Sequence, residues 1–288
     1  MKVLDEPTVA PTGATLGAVV TGVDLAGLDE AGWRQVEDAF HEHALLIFPG
    51  QHLSPEAQAA FAERFGRIEE LVAGYRSVPI TNRKRDGSLM GDDEHGMKIM
   101  MGNEGWHTDS SYMPVSAKAS VLSAQVVPSS GGETEWADMR AAYDALDGET
   151  RERLEALKAF HSLRYSQAQI GHDAPVGSSY GLTDDTPPLR PLVKTHPVTG
   201  RRSLFIGRHA YGIPGLAEAE SKQLLADLVA FACQPPRTYR HAWRPGDVAV
   251  WDNRCLLHRA CPYDHSEARA MLHVRVAGEP ATEQALNV

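Results

Sequence analysis

The chain has 288 residues, 42% of them hydrophobic, enough to bury a substantial core in one large domain or two small ones. A formal net charge of −10 argues against a nucleic-acid groove, no apolar run approaches the roughly 20 residues that span a bilayer, and the opening residues lack the apolar core of a signal peptide. Cys233, Cys255 and Cys261 form no CxxC pattern and cannot all pair, so structural thiols in a reducing, cytoplasmic setting are expected.

Residues 13–25, small and β-branched with glycine punctuation, predict one or two short strands. Asp29 is placed to cap a helix running to about His43, with Trp33, Val36 and Phe40 at helical spacing. Leu45 to Phe48 reads as a buried strand stopped by Pro49-Gly50. Ser54 followed by Pro55 is an N-cap and N1 pair for a helix that buries Phe61 and Phe65 and ends at Gly66. From about 70 to 100 the pattern dissolves into glycines and charges around one apolar run, Val78 to Thr81, which predicts a lid or pocket wall. Lys98 to Asn103 reads as a strand leading into Gly105-Trp106-His107-Thr108-Asp109, and Ala119 to Val127 as a strand leaving it. The Gly131-Gly132 turn that follows delivers Thr134. Residues 139–160 predict helices broken at Gly148, and 161–190 a second pocket loop. Pro191 to Thr195 and Ser203 to Ile206 predict a hairpin, and Glu218 to Cys233 an amphipathic helix. Strands near Asp247 to Trp251 and Arg269 to Ala277 close the chain. Helices at the start and between many short strands predict one α+β domain over 1–288, a double-stranded β-helix (jelly-roll) core with surrounding helices.

In an extended segment, side chains at i and i+2 share a face, so His107 and Asp109 can converge on one metal ion. His258, after the strand-like run that ends near Trp251, is the candidate third ligand. Two histidines and one carboxylate with other positions open form the arrangement of non-haem Fe(II) oxygenases. The spacing alone is weak: the chain holds thirteen histidines, and His265-Ser266-Glu267 repeats it. In the last strand Arg269, Met271, His273 and Arg275 share one face. A buried-facing arginine is costly unless it meets an anion, which makes Arg269 and Arg275 candidate carboxylate clamps.

Trp106-His107-Thr108-Asp109, Gly131-Gly132-Glu133-Thr134, Trp251-Asp252-Asn253-Arg254 with His258, and the following Arg269 together resemble a known family. It is that of the Fe(II)/2-oxoglutarate-dependent dioxygenases acting on taurine and 2,4-dichlorophenoxyacetate, and the resemblance spans nearly the whole chain. Tyr165-Ser166-Gln167, Ile206-Gly207-Arg208-His209-Ala210 and Asn253 to Arg259 resemble its aryloxyalkanoate group, of (S)-phenoxypropionate dioxygenase type. The resemblance implies His107, Asp109 and His258 as iron ligands, with Thr134 and Arg269 holding the distal carboxylate of 2-oxoglutarate. Asn103, Trp106 and Lys98 would border the substrate. Four residues after the cosubstrate arginine, where taurine dioxygenase has a second arginine, this chain has His273, which leaves Arg275 as a candidate anchor for a substrate carboxylate. The implied reaction consumes O2 and hydroxylates a carboxylate-bearing small molecule, an aryloxyalkanoate whose ether then cleaves to a phenol and a 2-oxo acid, with succinate and CO2 released. Oxidation of an alkyl sulfonate or sulfate ester, and a catalytically inactive small-molecule-binding jelly roll, are the alternatives. A homo-oligomer without nucleic-acid or membrane partners is expected.

Overall fold

In chain order the first elements are β1 (Thr8–Pro11), β2 (Ala18–Thr21), α1 (Glu30–His43), β3 (Leu45–Phe48), α2 (Pro55–Phe65), β4 (Val78–Thr81) and α3 (His95–Gly102). The middle of the chain supplies β5 (Ala119–Val126), β6 (Thr134–Asp138), α4 (Met139–Asp144), α5 (Gly148–Ala156), β7 (Lys158–His161), α6 (Leu163–Ala168), β8 (Leu189–Pro191), β9 (Val193–Thr195), β10 (Arg202–Leu204) and β11 (Ala210–Tyr211). It ends with α7 (Glu218–Ala232), β12 (Thr238–His241), β13 (Val248–Asp252), β14 (Leu256–Ala260), β15 (Ala270–Val276) and α8 (Pro280–Glu283). The structure, a computed structural model, describes residues 7–71, 74–173 and 186–288.

The helices start where local chemistry expects them. Asp29 accepts from the Gly32 amide at 2.8 Å to open α1, and Ser54 accepts from the Ala57 amide at 3.2 Å, with Pro55 in the first turn of α2. No described helix is long and apolar enough to cross a membrane.

Seven strands form the main sheet in the order β1-β2-β3-β13-β5-β15-β4, antiparallel except where β2 meets β3. A second, three-stranded antiparallel sheet runs β12-β6-β14. The two-residue period of a strand sorts the side chains. Leu46, Phe48, Val121, Val250, Val274 and Val276 face α1 and α2, packing with Trp33, Phe40, Phe61 and Phe65. Each such buried side chain contributes about 1.5–3 kcal/mol, so this layer seals one face of the sheet. The alternate residues Leu45, Ile47, Leu122, Ala249, Trp251 and Met271 face the other way and meet Trp136 of β6 and Leu256 of β14. By the same alternation, Ser120, His273 and Arg275 project into the space between the two sheets.

Several expectations change. Lys98 to Asn103 is not a strand: Met97, Met100 and Met101 fall at i, i+3 and i+4, methionine is a good helix former, and the Lys98 amide bonds the Glu94 carbonyl at 3.1 Å as α3 winds up. The 70–100 stretch carries β4, an edge strand registered on β15 from Ala270 to His273, as well as α3. Its residues 72 and 73 lie outside the described residues. In the 161–190 stretch α6 and β8 are regular, and 174–185 lie outside the described residues. The expected helices are α4 and α5, whose interruption ends at Gly148, the first residue of α5, while the end of the expected helical run is β7. The hairpin is present as β9 and β10.

Candidate metal centre and active site

His107 forms an isolated antiparallel bridge with His258 of β14. Its amide donates to the His258 carbonyl at 3.0 Å and its carbonyl accepts from the His258 amide at 2.8 Å. Asp109 projects to the same side two residues later, before Ser110 turns the chain with φ of 54°. One ligand atom from each of His107, Asp109 and His258 therefore lies within 4.8 Å of the others, and all three residues are buried.

The look-alike pair does not converge: His265 Nδ1 meets Asp92 at 2.7 Å, while the Glu267 carboxylate takes the amide and hydroxyl of Ser129. A second compact group, His196, Asp252 and Cys255, is already neutralised. Arg254 clamps Asp252 at 2.8 and 2.5 Å, and His196 approaches it at 2.9 Å.

The protonation states at the triad suit a divalent ion. His107 Nδ1 lies 2.7 Å from the Gly105 carbonyl, which can only accept, so Nδ1 carries the proton and Nε2 keeps its lone pair. Burial pushes the His107 imidazole from 6.5 down to about 4, against the attraction of Asp109. Burial, then neighbouring His107, holds His258 well below its ordinary range. For Asp109 burial opposes charge, but the Arg275 guanidinium, followed by His258 and His273, holds the carboxyl well below the usual range. Two neutral imidazoles and an ionised carboxylate are what metal binding requires. His258 Nδ1 and His273 Nε2 are buried without a hydrogen-bond partner, so this pocket is not closed on itself.

Asp109 is held from several sides. Ser120 Oγ donates to Oδ2 at 2.6 Å and Arg275 Nη2 lies 3.1 Å from Oδ1. Asn253 ties the surroundings together: Nδ2 donates to Ser120 Oγ at 2.9 Å, and Oδ1 accepts from Trp251 Nε1 at 3.1 Å and from the Asp109 amide at 3.3 Å.

A cavity of about 50 Å³ joins the triad to Thr134 and Arg269. Thr134 Oγ1 accepts from Trp243 Nε1 at 3.0 Å, so its own proton remains for an acceptor in the cavity. Arg269 is 6% exposed, its Nε donates to the Gly132 carbonyl at 3.2 Å, and among the described residues no carboxylate forms an ion pair with it. A buried guanidinium in that position calls for an anion. The glycine turn makes the approach possible. Gly132 has φ of 69° and a Cβ there would lie 3.1 Å from Arg269 Nε, while one on Gly131 would lie 2.5 Å from the Pro262 carbonyl.

Of the expected substrate contacts, Asn103 and His273 line the cavities at the triad, His273 with its ring stacked on Trp251 at 5.8 Å. Trp106 and Lys98 do not line them. The Trp106 ring packs against the core beside α7 and carries the Arg259 guanidinium at 4.7 Å, and Lys98 lies near His172. Arg275 lines both cavities at the triad, with its guanidinium held by Asp109 Oδ1 at 3.1 Å, Ser110 Oγ at 3.3 Å and Tyr112 Oη at 3.4 Å.

A second cleft of about 10 Å³, which shares Asn103, His107, Asp109 and Arg275 with the first cavity, is lined also by Gln167, Arg208 and His209. Arg208 Nη2 donates to the Ser166 carbonyl and to Gln167 Oε1, each at 3.0 Å. The same arginine lines a cavity of about 730 Å³ whose walls include Leu225, Val229 and the stacked rings of Tyr165 and Tyr211, 4.6 Å apart. Ser120, Trp243, Gln167, Arg208 and His209 received no role from the sequence. Strand parity pointed to Ser120, while the others sit in loops or short elements that carry no periodic signal.

The model of the taurine catabolism dioxygenase TauD, TfdA family matches residues 8–276. The chain is 57% identical over 284 residues to (S)-phenoxypropionate/alpha-ketoglutarate-dioxygenase of Sphingobium herbicidovorans, covering 96% of this chain and 97% of that protein. It is 39% identical over 273 residues to the alpha-ketoglutarate-dependent 2,4-dichlorophenoxyacetate dioxygenase of Cupriavidus pinatubonensis, covering 91% and 94%. The crystal structure of AAD-2 in complex with Mn(II) and N-oxalylglycine superposes with a TM-score of 0.87 at 38% identity, covering 97% of this chain and 98% of that one.

Proposed function

This chain belongs to the taurine catabolism dioxygenase TauD, TfdA family, and we propose that it oxidises an aryloxyalkanoate of the phenoxypropionate or phenoxyacetate type. It is an Fe(II)- and 2-oxoglutarate-dependent dioxygenase. The observation that carries the reading is a buried His-Asp-His cluster in metal-binding protonation states, beside a buried arginine that no described carboxylate neutralises. The two facing sheets are read as a double-stranded β-helix, and the stretches at about 70–100 and 161–190 as walls of its mouth. Three unpaired cysteines support a reducing, cytoplasmic setting.

His107, Asp109 and His258 would hold the iron, and Thr134 and Arg269 the distal carboxylate of 2-oxoglutarate. Bound Fe(II), with 2-oxoglutarate and O2, supplies the oxidising power, and 2-oxoglutarate leaves as succinate and CO2. With Arg269 assigned to the cosubstrate and Arg275 committed to Asp109, Arg208 is the cation on the substrate side of the triad. Its guanidinium and neighbouring His209 would orient the substrate carboxylate, and the apolar cavity that Arg208 also lines suits an aryl ring. Hydroxylation of the carbon between that carboxylate and the ether oxygen gives a hemiacetal or hemiketal. Loss of the hydroxyl proton and rupture of the bond between that carbon and the ether oxygen then yield a 2-oxo acid and an aryloxide, which takes up the proton to leave as a phenol.

A substrate panel monitored for succinate, phenol, sulfite and sulfate tests the reading. Phenol release in step with succinate from an aryloxypropionate or aryloxyacetate is the expected result. Sulfite or sulfate release without phenol would replace it with the sulfonate or sulfate-ester alternative, and no oxygen uptake on any carboxylate would leave only an inactive binding protein.

A further inference from the structure

The two oxygens of Asp109 answer to different groups. Oδ2 accepts from Ser120 Oγ at 2.6 Å and faces His273 Nε2 at 3.5 Å and His258 Nε2 at 3.7 Å, so it points to the side where a metal would sit. Oδ1 lies 3.1 Å from Arg275 Nη2. We propose that Arg275 is a positioning residue that reserves Oδ1, so that Asp109 meets the iron through Oδ2 alone and a coordination position stays open for the cosubstrate. The proposal rests on the dioxygenase reading above.

The stereochemistry gives this a purpose. Two imidazoles and one carboxylate oxygen leave half of an octahedral ion's positions open, and a second carboxylate oxygen would close one of them. A flexible aspartate could swing into that chelating pose unless something held its other oxygen. Arg275 is built to hold it. Its Nη1 lies 3.3 Å from Ser110 Oγ and 3.4 Å from Tyr112 Oη, and Ser110 Oγ in turn donates to Glu69 Oε2 at 2.6 Å. The Glu69 amide donates to the Arg275 carbonyl at 2.9 Å, so the backbone of Arg275 is held by Glu69 and its guanidinium by Ser110 and Tyr112 beside the metal-binding stretch. Register places Arg275 directly opposite Ser120 on the neighbouring strand, so adjacent strands present the two groups that divide Asp109 between them. A planar guanidinium can contact Asp109, Ser110 and Tyr112 at once, whereas a lysine offers a single mobile ammonium. Simple neutralisation of a buried carboxylate would be served equally by lysine. Orientation would not, and that difference makes the two roles separable.

The test compares wild type with Arg275→Lys and Arg275→Ala, each loaded anaerobically with Fe(II) and titrated with 2-oxoglutarate while the metal-to-ligand charge-transfer band is followed. Fe(II) affinity is measured separately by competition with a colorimetric chelator. Loss of such an orienting partner costs roughly tenfold or more, so both variants are expected to need at least about ten times more 2-oxoglutarate to develop the band. Millimolar guanidinium ion is expected to restore it in Arg275→Ala. Wild-type titration curves in Arg275→Lys, or a fall in Fe(II) affinity with cosubstrate chelation unchanged, would overturn the proposal and leave charge neutralisation as the role. Should Arg275→Ala fail to fold, Arg275→Lys and a Ser110→Ala, Tyr112→Phe double variant, which loosens Arg275 while keeping its charge, give the same comparison. A wild-type protein that forms no band at all would instead overturn the dioxygenase reading.

Discussion

Thr134 reaches the cavity from β6 and Arg269 from the residue just before β15, and each is expected to contribute to cosubstrate binding in its own way. Because the Thr134 oxygen is already occupied as an acceptor by Trp243, Thr134→Val removes one donor to a carboxylate. A hydrogen bond to a charged group is worth about 1.5–3 kcal/mol, so 2-oxoglutarate binding should weaken roughly 10- to 150-fold, read from the apparent Kd. Arg269→Ala removes the buried cation and should cost about 2–5 kcal/mol in the same titration. An unchanged Kd in both variants would place the cosubstrate elsewhere. At this scale the sequence was informative about residue types and faces. The i, i+2 pair and the later histidine proposed the triad, and parity placed Arg269, His273 and Arg275 together. Parity does not give distance or partner, so it placed Arg275 at the site without showing that its guanidinium lies 3.1 Å from Asp109. Nothing local marked Trp243, and Arg208 stood in a segment that carries the family resemblance without a role of its own, because each acquires its place only when distant segments meet.

The Gly131-Gly132 turn shows how an element positions a charge it does not carry. Gly132→Ala would place a residue with a side chain at φ of 69° and a Cβ 3.1 Å from Arg269 Nε. The backbone penalty alone is about 1–2 kcal/mol, so a lower Tm together with weaker 2-oxoglutarate binding is expected, whereas an ordinary surface glycine would change neither. Differential scanning fluorimetry with and without 2-oxoglutarate separates the two effects. Capped helices such as α1 and α2 were legible because their start signals are local. The strands β6, β7 and β12 were not, since a strand is fixed by its neighbours: β6 is paired on both sides, by β12 and β14. Residues 98–103 misled because a short apolar run suits either period, and the methionine spacing decided for helix.

Across the whole molecule, burial keeps several imidazoles neutral. His107 is pushed down to about 4, and His161, His209 and His258 are held well below 6.5, in each case first by burial. In the unfolded chain these groups take up protons near 6.5, while the folded protein resists, so their contribution to stability is complete above that pH and declines as pH falls toward about 4. The metal-free protein should therefore lose Tm steadily over that interval, and a metal ion that binds neutral imidazoles should delay the loss. A metal-free Tm independent of pH across the interval would contradict the burial of neutral histidines. The mixture of sheets and helices could be anticipated because alternating short strands and capped helices leave few architectures, while the site's second layer could not. The most direct test of the central claim is anaerobic addition of Fe(II) and 2-oxoglutarate to the wild type and to His107→Ala, followed by an aryloxypropionate. The expected result is a metal-to-ligand charge-transfer band in the wild type that the aryloxypropionate perturbs and that His107→Ala abolishes; an undiminished band in His107→Ala would contradict the assignment.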